Sequence, residues 1–158
     1  MHFGSGKPFS DVDLFVVSNE IPSTYDPWLD VRAYKLQDIE KGIKVLNPMV
    51  TDPIMVGGLV FGDGNYLSGL RRQIIKQQIT EEAIRSSLGE YETEMRRAKD
   101  NSLGKYLQEK NLRSARIFLA NALALRSGHK ILSSEKLLGC RHALSFNESF
   151  IELKGGIE

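Results

Sequence analysis

The sequence predicts an α+β fold, a small mixed sheet followed by an α-helical bundle, and three observations carry that prediction. Before about residue 65 the apolar runs are short and rich in β-branched and aromatic residues, whereas after it they recur at helical spacing. The turn-rich Gly62-Asp63-Gly64-Asn65 lies between the two regimes. Residues 1–64 are therefore assigned to the sheet and residues 65–158 to the helices.

Three runs read as strands: Val12–Val17 (VDLFVV), Leu29–Leu36 (LDVRAYKL) and Ile54–Phe61 (IMVGGLVF), with Pro22, Pro27, Pro48 and Pro53 between them. The connector from Asn19 to Trp28 is short for a parallel crossover, so the first two are expected to pair antiparallel. In the second half Ile84, Leu88, Tyr91, Met95 and Ala98 recur at steps of four and three, as do Leu112, Ala115, Leu119 and Ala122. Thr80 ahead of Glu81 and Glu82 is a helix start, since its hydroxyl and the carboxylates meet unpaired N–H groups. Ser68 is read as the start of a shorter helix carrying Leu70, Ile74 and Ile75. Gly128 is placed to end the helix through Arg126, and Ser133 and Ser134 open a last one.

Composition narrows the function. The chain is 158 residues long, 41% hydrophobic and 26% charged, with a net charge of +1. That is a globular composition with no overall field to draw it to nucleic acid, so nucleic acid is disfavoured as a partner and any basic contact must be local. Local basic clusters occur at Arg71, Arg72 and Lys76 and at Arg96, Arg97 and Lys99. A lone cysteine, Cys140, points to a reducing compartment, and no long apolar run suits a membrane span. A cytoplasmic protein without a membrane partner is expected. His2, His129 and His142 lack zinc-ligand spacing with Cys140. Gly6-Lys7 is not a phosphate-binding P-loop, because Pro8 stands where Ser or Thr would hold Mg²⁺.

The chemistry is concentrated near the N-terminus. A small-residue turn, Gly4-Ser5-Gly6, precedes Asp11 and Asp13, which the strand period of two places on one face. Paired carboxylates repel unless a cation lies between them, and oxygen donors at that spacing suit Mg²⁺ or Mn²⁺. For an isolated D-x-D, a polar turn leading into a solvated strand position is the favoured reading. Asp30 alternates with Leu29 and Val31 on the second strand and can approach the pair; taken alone, an acid neutralised by Arg32 accounts for it equally well.

Taken together, Phe3-Gly4-Ser5, Asp11-Val12-Asp13-Leu14 and Leu29-Asp30-Val31 resemble the nucleotidyltransferase superfamily of DNA polymerase β, in particular its minimal members. The resemblance covers residues 1–64; the helical half resembles only loosely the helical domains that follow such modules. Two departures from the family pattern are the mere three residues before Gly4 and the short spacer holding Pro8. The resemblance implies transfer of a nucleoside monophosphate from an NTP to an acceptor hydroxyl by a two-metal mechanism. It makes Asp11, Asp13 and Asp30 the catalytic and metal-holding residues, with Mg²⁺ or Mn²⁺ as cofactor, and Gly4, Ser5, Lys7 and Arg32 the nucleotide-binding ones. The acceptor is a small molecule or a protein, and a homo-oligomer is left open. The rival reading is a non-enzymatic or antitoxin-like interaction protein on the same fold.

Overall fold

The computed structural model describes residues 12–18 and 29–139. Strand β1 (Val12–Val17) and strand β2 (Leu29–Tyr34) form a two-stranded sheet in which they run parallel. The antiparallel expectation is thus corrected: the chain between Val17 and Leu29 is long enough to carry the backbone back to the starting edge, close to the roughly 10–12 residues that a crossover needs at minimum. The mixed sheet is narrowed accordingly to two parallel strands among the described residues. Phe15 and Tyr34 lie diagonally across the pair, their ring centroids 5.0 Å apart at 30°, and both pack on a cluster of Ile39, Ile43, Val50, Ile54, Leu70 and Ile74.

That cluster is built by three short helices. Helix α1 (Leu36–Lys44) places Ile39 and Ile43 one turn apart on its buried face, and α2 (Pro48–Val56) begins where Asn47 Oδ1 accepts the Met49 N–H at 2.9 Å with Pro48 in the first helical position. The two helices approach closely at Gly42, where a Cβ would lie 2.6 Å from a methyl carbon of Val50. Ile54, Met55 and Val56, expected in a strand, are the last turn of α2 instead. The apolar run from Ile54 to Phe61 is too short for periodicity to separate strand from helix, and the Asn47-Pro48 start decides it. Residues 57–63 form the turn to α3 (Gly64–Lys76), whose start is Asp63, with Oδ1 2.8 Å from the Asn65 N–H, and not Ser68 as expected. Leu70 and Ile74 of α3 complete the cluster, so it spans residue 64.

The second half follows its periodicity. Helix α4 (Glu81–Ala98) opens on Thr80, whose hydroxyl accepts the Ala83 N–H at 3.2 Å; α5 (Lys105–Arg126) and α6 (Ser134–Gly139) follow. Helices α4 and α5 pair along their lengths through Ala83, Ile84, Leu88, Leu119, Ala122 and Leu125. Gly128 ends α5 at φ +78°: its N–H bonds Leu125 O at 2.9 Å and the His129 N–H bonds Ala124 O at 2.8 Å, a Schellman motif. No described helix is long and apolar enough to cross a membrane.

The same motif ends α1, with a leucine in the left-handed position. The Leu46 N–H bonds Ile43 O at 3.0 Å, the Asn47 N–H bonds Gly42 O at 2.8 Å, and Leu46 has φ 51°. A non-glycine residue there costs roughly 1–2 kcal/mol. Burial offsets it: the Leu46 side chain is 2% exposed within the α4–α5 core, which is worth about 1.5–3 kcal/mol. Its carbonyl is held as well, accepting from Asn121 Nδ2 at 3.1 Å, and the same amide nitrogen donates to Ser87 Oγ at 2.9 Å. A reversal of the usual ranking follows. Leu46→Ala loses the packing and keeps the strain, while Leu46→Gly loses the packing and relieves the strain, so the glycine variant should be the more stable of the two by about 1 kcal/mol, with both below wild type. Urea midpoints at constant m-value measure this; an alanine variant above the glycine variant contradicts it.

Candidate functional site

The sheet brings two of the three expected acids level. Cα partners across it include Asp13 with Asp30, then Leu14 with Val31 and Phe15 with Arg32. Neighbouring strands lie about 4.8 Å apart, so Asp13 and Asp30 occupy adjacent backbone positions at the N-terminal end of the sheet. The parallel direction is what accomplishes this. An antiparallel pairing of the same residues sets Asp30 beside Val16, three positions or about 10 Å along β1 from Asp13. The Asp13 side chain is exposed, and it sits two residues before Phe15, whose ring joins the helical cluster.

Arg32 is half-buried two positions beyond Asp30 on β2, and its Nη1 lies 3.6 Å from Met49 Sδ in the first turn of α2. The Met49 sulfur is a soft, weak acceptor that packs against the guanidinium and helps to fix where it lies. Met49 is the residue that sequence reasoning missed. Pro48 reads as a break between strands, so the helix turn that carries Met49 goes unread, and nothing in the sequence sets that turn against β2. Asp11, Gly4, Ser5 and Lys7 lie outside the described residues. Among the described residues no three His, Cys, Asp or Glu side chains gather as a metal site. A carboxylate pair supplies oxygen donors of the type Mg²⁺ and Mn²⁺ accept, and the third expected donor, Asp11, falls outside the described residues.

The first of the two basic clusters is structural at its centre. Arg71 on α3 donates from Nε to Ile54 O at 2.8 Å and from Nη2 to Gly57 O at 2.7 Å, satisfying carbonyls at the C-terminal end of α2. His129 is exposed, with no ligand cluster around it among the described residues.

No known protein family, curated protein or solved structure matches the chain.

The register is testable by cross-linking. With Cys140 replaced by Ser, the Asp13→Cys/Asp30→Cys pair should form a disulfide under mild oxidation, because paired strand positions fall within the roughly 4.4–6.8 Å Cα separation a disulfide spans. Asp13→Cys/Ala33→Cys, the antiparallel partners, should not. Mobility on a non-reducing gel distinguishes them, and the opposite pattern overturns the parallel register.

Proposed function

We propose that the chain is a metal-dependent nucleotidyltransferase that moves a nucleoside monophosphate from an NTP to an acceptor hydroxyl. One observation carries the reading: Asp13 and Asp30, the acids singled out by the D-x-D and L-D-V segments, are paired across parallel strands. Acids at paired strand positions offer oxygen donors to a cation, and a cation held there serves phosphate chemistry. Asp11, Asp13 and Asp30 would hold Mg²⁺ or Mn²⁺, which when bound would supply charge neutralisation at the triphosphate and lower the pKa of the attacking hydroxyl. Asp30 takes the proton as the acceptor oxygen bonds to the α-phosphorus; the bond from that phosphorus to the bridging oxygen breaks and pyrophosphate leaves. Gly4 and Ser5 offer backbone N–H groups and a hydroxyl to the phosphates, and Lys7 and Arg32 offer charge. The acceptor is a small molecule or a protein side chain.

The rival reading, a non-enzymatic interaction protein on this fold, is favoured by one observation. The turn after α2 exposes Leu59, Val60 and Phe61, with Phe61 96% exposed, and Val56 before it is 52% exposed. Solvated loops seldom present four consecutive or near-consecutive large apolar residues, and such sets occur where another protein docks.

Thermal unfolding with Mg²⁺ and each NTP separates the two readings. A ligand at about 100 times its Kd adds about 2.7 kcal/mol, which raises the Tm of a chain of this length by several degrees. Wild type should show that shift. Asp13→Asn, a near-isosteric change at an exposed position, should stay folded with an apo Tm close to wild type and should lose the metal-dependent nucleotide shift. An unshifted wild type with Mg²⁺ or Mn²⁺ and all four NTPs supports the interaction protein.

A further inference from the structure

The chain's net charge of +1 conceals a separation. Between residues 94 and 113 there are six Lys or Arg against three acids, Glu94, Asp100 and Glu109, leaving the rest of the chain net negative. The α4–α5 hairpin gathers this excess at its closed end. Arg96 and Lys99 stand at the end of α4, and Lys105, Lys110 and Arg113 recur on the solvent side of the first three turns of α5, opposite the buried Ala115, Phe118, Leu119 and Ala122. All five cations are exposed, and Tyr106, 65% exposed, lies among them.

Two of the three acids, Glu94 and Asp100, are engaged outside the five cations. Glu94 is buried with its carboxylate 2.7 Å from Arg97 Nη1. Asp100 turns back into its own loop, accepting the Ser102 N–H at 2.9 Å and the Ser102 hydroxyl at 2.7 Å, and those hydrogen bonds hold its carboxyl below the usual carboxylate range. Glu109 meets Lys105 only at 4.0 Å on the surface, a contact of little strength. Helix α5 adds to the positive field, for its N-cap is Gly104 without a side-chain hydrogen bond and its first turn holds no acid.

We propose that this end of the hairpin binds single-stranded nucleic acid, with the five cations on successive phosphates and Tyr106 stacked on a base. Cations tracking a backbone beside an aromatic face are the elements of sequence-tolerant single-strand binding. The proposal does not rest on the aspartate reading. It also distinguishes the two basic clusters, since Arg71 is spent on the carbonyls of α2 while the Arg96 group faces solvent on a hairpin end.

The test is fluorescence anisotropy of the full chain with labelled single strands of about 20 nucleotides, RNA and DNA of one sequence, at about 50 and 200 mM salt. Wild type should bind, more weakly at the higher salt. Lys99→Glu/Lys105→Glu/Lys110→Glu should bind at least about tenfold more weakly with a shallower salt dependence. Tyr106→Ala should lose about fivefold or more with the salt dependence unchanged. Arg72→Glu/Lys76→Glu/Lys136→Glu, which makes the same change in net charge at other exposed positions, should bind as wild type; circular dichroism and melting establish that each variant is folded. The RNA and DNA arms tell which strand is preferred. Absence of binding to both, equal loss in the two triple variants, an unaffected Tyr106→Ala, or equal binding of polyglutamate, which assigns an acidic protein instead, overturns the proposal.

Discussion

The architecture turns on a leucine in a conformation that leucines avoid. Leu46 closes α1 in the left-handed position, and that one backbone choice sends its side chain into the α4–α5 core while Asn47, the next residue, caps α2. The sheet packs on α1, α2 and α3, and the long hairpin packs on Leu46, so the positions of both halves refer to one turn. Asn121 and Ser87 fix it from the other side with a hydrogen bond to the Leu46 carbonyl and to each other. Such a buried polar contact adds little net free energy but is costly to leave unmade, so it selects this turn over its competitors.

Legibility in the sequence follows from how local each signal is. β1 was readable to the residue because Val12–Val17 alternates little and is bounded by polar residues; α4 and the second half of α5 were readable because their stripes run over about four and three turns, and the Thr80 and Gly128 ends are local chemistry. Helix α1 escaped notice for the opposite reason. It has two core residues, Ile39 and Ile43, and its N-cap, Lys35, makes no side-chain bond, so nothing local announces it. Helix α2 did announce itself through Asn47-Pro48, but Pro48 and Pro53 invite reading as breaks between strands. A leucine ending a helix in the left-handed region has no sequence signature, because its cause is the core seventy-five residues downstream at Asn121 and its neighbours.

At the candidate site, the residues were readable and their arrangement was not. The D-x-D and L-D-V segments named Asp13 and Asp30, yet the direction of pairing inferred from the connector would have separated them. Strand direction is a property of the crossover's path, which alternation along either strand does not encode. The contact between Arg32 and Met49 is likewise tertiary, set by where α2 lies on the sheet.

Arg71 gives the turn after α2 a particular insensitivity. Its guanidinium grips two uncharged carbonyls at hydrogen-bonding distance, so mobile ions that weaken contacts between separated charges have little purchase on it. The start of the turn that leads to the exposed Leu59, Val60 and Phe61 is therefore tied by contacts that salt barely screens, while the field of the cationic end of the α4–α5 hairpin weakens as ionic strength rises. The two exposed surfaces thus differ in kind: salt screens the field of the charged one and leaves the apolar one without a charge to screen.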